Sequence, residues 1–145
     1  MTSYLLDVST LVALWWPTHE SHDKVLHWFG RNAKAGWATC PFTESAAVRI
    51  LSNPAFSPDA LTVKETIAIV DANLNHPTHQ FWPDDIRFME AIAPFRERIV
   101  GHKQVTDAYL LGLAMHRKGK LVTIDRALPA LLMGDKPADS YVVVI

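Results

Sequence analysis

The chain has 145 residues, of which 49% are hydrophobic and 20% are charged. That length suits one domain, and the composition supplies a real core and excludes a disordered chain. The formal net charge of -1 excludes a protein that holds nucleic acid through overall positive charge. Any attraction for nucleic acid must therefore be local, from bound metal ions or from a basic rim. Candidates for such a rim are Lys103, Arg117, Lys118, Lys120 and Arg126.

The single cysteine, Cys40, excludes an internal disulfide and gives no sign of an oxidising compartment. The apolar first residues lack a basic leader and are interrupted by Asp7, which argues against a signal peptide. No apolar run approaches the roughly 18 residues that a membrane span needs. We therefore expect a cytoplasmic protein with no membrane segment.

Short β-like runs alternate with longer helical ones along the first half of the chain. A strand is predicted at 4–6, followed by a helix from about Thr10 that Pro17 stops. A second helix at 20–32 precedes a strand at 37–39 and a helix at 42–51, which the pair Asn53-Pro54 ends. The next helix is predicted at 61–74, with Thr62 or Asp59 as its cap.

The second half continues the alternation. A strand is predicted at 79–82, a weaker helix at 86–95 and a strong helix at 105–117 that Gly119 ends. Two β-branched strands follow, at 121–124 and 141–144. Alternating strands and helices predict right-handed crossovers and a parallel sheet covered on both faces. We therefore predict one domain over 1–145, a three-layer α/β/α sandwich with a mainly parallel sheet of four or five strands.

Four acidic residues fall at informative positions. Asp7 closes the first strand and Asp125 closes the strand at 121–124, while Glu44 and Asp107 lie in the first turns of helices. Ligands bind beyond the carboxyl ends of strands in an open parallel sheet. The four acids, from four separate segments, are therefore expected to converge at one edge.

Two of these acids lie on apolar helix faces, where a lone charge is costly. Glu44 aligns with Ala47, Val48 and Leu51, and Asp107 aligns with a similar stripe one and two turns later. Crowded carboxylates repel one another unless a cation is present. Oxygen-only ligands favour Mg²⁺ or Mn²⁺ over zinc, so the pattern indicates a site for a hard divalent ion.

Other interpretations of the same residues stay open. Acids in the first turn of a helix complement its dipole, and Asp125 can cap a short helix. The pairs His19/His22 and His76/His79 offer partial zinc sites without a third placed ligand. A dehalogenase-type phosphatase needs a second Asp where Ser9 stands, and the acidic pair and late lysine of a response-regulator receiver are missing.

Four segments resemble the acidic motifs of PIN-domain nucleases in their order and spacing: LLDVSTLVAL, TESAAVRIL, QVTDAYLLGLA and LVTIDRAL. More narrowly, they resemble the VapC toxins of bacterial type II toxin–antitoxin pairs, in a mycobacterial-type subgroup. The resemblance runs over nearly the whole chain. It implies a PIN-like fold and a metal-dependent endoribonuclease that cuts RNA phosphodiester bonds with the help of Mg²⁺, or of Mn²⁺.

Carried onto this sequence, the family's catalytic and metal site falls on Asp7, Glu44, Asp107 and Asp125. Ser9 and Thr123 match supporting positions beside the first and last acids. The acidic quartet is intact, although the position of Glu44 holds Gln as well as Glu in the subgroup.

The resemblance also implies partners. VapC toxins are held inactive by a small VapB-like antitoxin whose apolar helix lies in a groove, and Trp15, Trp16 and Phe29 are predicted to form part of that groove. Homodimerisation is implied by the family as well. The alternative is a PIN-like module that binds RNA or protein without catalysis, which a metal-binding titration would distinguish from the enzyme.

Overall fold

The computed structural model describes residues 2–132 and 137–145. Within those ranges the chain forms five short strands: β1 (Tyr4–Leu6), β2 (Trp37–Thr39), β3 (His79–Phe81), β4 (Lys120–Thr123) and β5 (Val142–Val144). It also forms six α-helices: α1 (Val8–Trp15), α2 (His22–Asn32), α3 (Pro41–Leu51), α4 (Val63–Leu74), α5 (Phe88–Ile92) and α6 (Val105–His116). None of these helices is both long and apolar enough to cross a membrane.

The strands form one parallel sheet in the order β3-β2-β1-β4-β5. β1 lies at the centre, where Leu5 pairs with Ala38 of β2 and with Leu121 of β4. This arrangement confirms the predicted parallel sheet. The edge strand β3 departs from the expected burial on both faces, because Gln80 and Phe81 are exposed.

Helices cover both faces of the sheet, which confirms the three-layer sandwich. Leu5 and Leu121 face the layer that contains α5 and α6. Their neighbours Leu6 and Val122 face the layer formed by α1 to α4. This alternation follows from the pleat of a strand, which sends successive side chains to opposite faces.

Side-chain caps fix where two of the helices begin. α1 begins at Val8, two residues before the predicted start, because the Asp7 carboxylate accepts a hydrogen bond from the Thr10 amide over 2.8 Å. α4 begins after Thr62, one of the two predicted caps. Thr62 and Glu65 form a reciprocal capping box, with bonds of 3.1 and 3.2 Å.

The predicted helix at 86–95 is shorter than expected. α5 ends at Ile92 and a 3₁₀ segment, Ala93–Arg98, follows it. Pro94 has no N–H with which to continue the α-helical hydrogen-bond ladder. α5 packs closely on α6 at Gly112, where an added Cβ would lie 2.1 Å from the carbonyl oxygen of Ala91.

Candidate active site

Asp7 directly follows the central strand β1 and is 2% exposed. Its Oδ1 atom accepts hydrogen bonds from the Ser9 hydroxyl and from the Thr10 amide, both over 2.8 Å. Burial raises the pKa of Asp7, and hydrogen bonds from the hydroxyls of Thr123, Thr10 and Ser9 oppose that rise. The first acid is therefore fixed in position by its neighbours and by the helix it caps.

Asp125 lies just beyond β4, the strand that pairs with β1. The Thr123 hydroxyl accepts a hydrogen bond from the Asp125 amide over 3.0 Å, and it also acts to lower the pKa of Asp7. Asp125 also accepts from the Ala127 amide over 2.9 Å. Thr123 thus bonds to the backbone of the last acid, and Ser9 bonds to the carboxylate of the first.

Asp107, in the first turn of α6, joins these two acids. Asp7, Asp107 and Asp125 line one cavity of about 320 Å³, with Ser9 at its wall. Parallel neighbouring strands end at the same edge of the sheet, which brings Asp7 and Asp125 together, and α6 packs against the same strands. Three of the four predicted acids therefore meet.

The three carboxylates are electrostatically unfavourable as a group. Burial, together with the charges of Asp7 and Asp125, raises the pKa of Asp107 to about 7, and burial is the largest of these causes. In the described ranges, no side chain or backbone amide donates a hydrogen bond to the Asp107 carboxylate. A cation is the group that would relieve this repulsion.

The donor set fits a hard divalent ion. Oxygen-only carboxylate ligands are those that Mg²⁺ and Mn²⁺ prefer. Among the described side chains, no three His, Cys, Asp or Glu groups stand close enough to coordinate one ion as they are. The fit therefore rests on donor chemistry and on the repulsion at Asp107.

Glu44, the fourth predicted acid, does not line the cavity of the three aspartates. Its Oε2 atom accepts a hydrogen bond from the Thr39 hydroxyl over 2.7 Å, and that hydroxyl also lies 2.8 Å from Nε2 of His79. Glu44 lines a different cavity, between α3 and α4. Glu44 is therefore not among the residues that line the cavity of the three aspartates, and its part in the site stays a prediction.

The three aromatic residues predicted to form part of an antitoxin groove pack within the helical layer formed by α1 to α4. Trp15 is 9% exposed and belongs to the core. Trp16 packs edge-on against Phe56, and Phe29 packs edge-on against Trp37, with ring centroids 5.4 and 5.2 Å apart. These rings stabilise the helical layer, and Trp15 is not available to a partner in this conformation.

The two histidine pairs that offered partial zinc sites form hydrogen bonds with other parts of the protein. The Ser21 amide donates to Nδ1 of His19 over 2.9 Å, and Nδ1 of His22 lies 2.8 Å from the Ala13 carbonyl oxygen. The Trp37 indole N–H donates to Nδ1 of His76 over 3.3 Å, and Nε2 of His79 lies 2.8 Å from the Thr39 hydroxyl. No zinc cluster of three or more ligands occurs in the ranges that the structure covers.

Two basic residues of the predicted rim bond within the protein. Arg117 donates to the Asp85 carboxylate over 2.7 Å, and the Lys120 ammonium donates to the Asp139 carbonyl oxygen over 3.0 Å. Both groups are therefore less available to a nucleic acid than the sequence indicates.

Two residues that line the site were not predicted from the sequence. His19 lines the cavity of the three aspartates, and Arg49 lines a neighbouring cavity that includes Asp107. The spacing of residues along α3 could have identified Arg49 from the sequence. Successive members of the set Phe42, Ala46 and Arg49 are four and three residues apart, which places them on one side of the helix.

Comparisons with known proteins agree with this fold. The family model described as "PIN domain" matches residues 4–131. A solved structure of VapBC2 from Rickettsia felis, bound to a DNA fragment from their promoter, matches with a TM-score of 0.58 and 14% identity. That match covers 86% of this chain and 88% of the other, and it supports the fold alone.

Curated relatives are more similar in sequence. Ribonuclease VapC38 of Mycobacterium tuberculosis is 43% identical over 121 residues, which cover 83% of this chain and 84% of the relative. Ribonuclease VapC39 of the same organism is 41% identical over 86% of this chain and 89% of its own length. Ribonuclease VapC44, also of Mycobacterium tuberculosis, is 34% identical over 86% of this chain and 87% of its own length. The chain therefore belongs to the PIN-domain family and, within it, to the VapC ribonucleases.

Proposed function

We propose that this protein is the toxin of a type II toxin–antitoxin pair, an endoribonuclease that cuts RNA with the help of Mg²⁺ or Mn²⁺. The observation that carries the proposal is the meeting of Asp7, Asp107 and Asp125 in one cavity at the carboxyl ends of β1 and β4. Membership of the VapC ribonucleases supports the reaction and the kind of substrate.

The three aspartates would hold the metal, with Asp7 and Asp107 as the principal ligands. When bound, the ion would activate water for attack on phosphorus and offset charge on the phosphate oxygens. Ser9 and Thr10 hold the Asp7 carboxylate in place through hydrogen bonds of 2.8 Å, and Thr123 is proposed to support it from the end of β4. Glu44 is proposed to contribute less than the aspartates, because the Thr39 hydroxyl holds it beside another cavity.

The cognate antitoxin is proposed to be a small VapB-like protein, in keeping with the VapC relatives. Homodimerisation and a cytoplasmic location are proposed on the same basis. β5 lies outside the matched range 4–131 but pairs with β4, so we propose that the whole chain folds as one domain.

The test is cleavage of total cellular RNA by purified protein free of antitoxin. Reactions contain Mg²⁺, Mn²⁺ or EDTA, and Asp107→Asn serves as the inactive control. Discrete fragments that require both metal and Asp107 are expected, and their ends would identify the target. Absence of fragments in every reaction, from protein that melts cooperatively, would refute the enzyme and favour a binding module.

A further inference from the structure

A second cavity opens beside the three aspartates. It has a volume of about 510 Å³ and shares Val8 and Asp107 with the first cavity. Its other walls include Phe42, Arg49 and Asp84. Cavities of roughly 300–1,000 Å³ are the size that small organic ligands occupy. The position beside Asp107 would place an occupant next to the bond being cut.

Phe42 offers this cavity an exposed aromatic ring. The ring lies near the start of α3 and is 46% exposed. It contacts the ring of the buried Tyr109, whose centroid is 5.0 Å away, and Tyr109 in turn stacks on Phe88. The Tyr109 hydroxyl donates to Asp84 over 2.7 Å. Phe42 is therefore supported on one side by a fixed aromatic group and open on the other.

Arg49 offers the same cavity a positive charge. Among the described residues that line the two cavities, Arg49 is the one arginine, and there is no lysine. In the described part of the chain it forms no ion pair with a carboxylate. Its guanidinium is suited to phosphate oxygens, which it binds with two N–H groups at once.

We propose that this cavity binds the nucleotide adjoining the cleaved bond of a single-stranded RNA. The Phe42 ring stacks on the base, and Arg49 contacts a backbone phosphate. Stacking on a side chain requires an unpaired base, which is why the substrate segment is single-stranded. Arg49 also supplies a local attraction for RNA beside three aspartates that would repel it, in a chain of net charge -1. This inference rests on the proposed function, because it takes RNA as the substrate.

The test measures binding of a short, fluorescein-labelled single-stranded RNA of mixed sequence to the Asp107→Asn protein, by fluorescence anisotropy. Adding Phe42→Ala is expected to weaken binding about tenfold, with an unchanged salt dependence. Adding Arg49→Ala is expected to weaken binding and to lower the slope of log Kd against log salt by about 0.7. Phe42→Trp is expected to retain binding.

Matched controls separate stacking from packing. Phe88 contacts the same Tyr109 ring and is 38% exposed, yet it does not line the cavity, so Phe88→Ala is expected to bind as the parent does. Arg31, exposed at the end of α2, is the control for Arg49. Equal losses in the Phe42 and Phe88 variants would overturn the stacking role.

Binding by all variants at the parental affinity would overturn the subsite, and so would failure of the parent to bind RNA. Cleavage by the otherwise wild-type protein decides the proposed function separately. Unchanged kcat/KM in both Phe42→Ala and Arg49→Ala would refute the subsite and leave the nuclease intact. If the variants differ in RNA binding as expected but the wild-type protein never cleaves RNA, the subsite stands and the proposed nuclease is refuted.

Discussion

The Thr39 hydroxyl donates a hydrogen bond to the Glu44 carboxylate over 2.7 Å, from the end of β2 to the first turn of α3. The same hydroxyl lies 2.8 Å from Nε2 of His79, and the charge of Glu44 acts to raise the pKa of that histidine. Residues two apart on a helix project roughly 200° apart. Ala46, which lines the cavity beside Asp107, therefore points nearly opposite to Glu44.

Glu44→Gln is expected to lower the cleavage rate by less than about tenfold, because the amide oxygen can still accept the Thr39 hydrogen bond and no ligand of the three-aspartate cavity is lost. The measurement is the initial rate of RNA cleavage at saturating Mg²⁺. A loss as large as that of Asp107→Asn would show that Glu44 moves into the metal site when the ion or the substrate binds.

Asp7→Asn and Asp107→Asn are each expected to lower cleavage by at least about a hundredfold, because each change removes a charged ligand. Metal binding supplies a second measurement, since Mg²⁺ should raise the Tm of the parent and not that of the variants. Asp59→Asn, at an exposed loop position, is the control. Retained activity in both variants would refute the assignment of the site.

The stability of the metal-free protein is expected to depend on pH through Asp107. Its pKa is about 7 in the folded chain, well above the ordinary value of 3.8, so between these values the folded state binds a proton that the unfolded state lacks. This group therefore stabilises the fold as the pH falls from about 8 to about 5, and the gain is lost as the pH rises through 7.

Thermal melts in EDTA across that range compare the parent with Asp107→Asn. The variant should lack the part of the pH dependence that Asp107 provides, and it should be the more stable protein at the alkaline end. Parallel profiles for the two proteins would contradict the repulsion described for this site.

Gly112→Ala is expected to lower the free energy of unfolding by about 1–3 kcal/mol or more, because its Cβ would meet the backbone of Ala91. Gly30→Ala, in α2, is the matched control. An added Cβ there meets nothing within 4 Å, so this change should stabilise the protein by up to about 1 kcal/mol. Urea unfolding measures both, and equal effects would contradict the close packing of α5 on α6.

The order of strands and helices follows from the sequence because each element carries its own local pattern. The strands at 4–6 and 37–39 have the predicted bounds, and Pro17, Asn53-Pro54 and Gly119 mark where helical patterns stop. The helix at 86–95 was harder to predict. There the apolar spacing continues through Pro94, whereas the backbone hydrogen bonds do not.

The site was predictable to the extent that it depends on strand ends. Asp7 directly follows β1 and Asp125 lies two residues beyond β4, and the pairing of these strands brings the two acids together. The rotation of α3 was not predictable in this way, because the helix has two partly apolar sides. One side carries Glu44 and Val48 toward α4, and the other carries Phe42 and Ala46 toward Asp107, while Arg49 lies between the two sides and lines both cavities. Which side faces the acids depends on contacts with distant elements.

The cap of α1 has a consequence for how the protein can be inactivated. Asp7 accepts the Ser9 and Thr10 hydrogen bonds through the single atom Oδ1, and an asparagine side chain offers an oxygen at the same position. A change from an Asp to an Asn codon needs one nucleotide. Under selection against a harmful nuclease, we expect such alleles to encode folded, inactive chains that still bind antitoxin and so withdraw it from active copies.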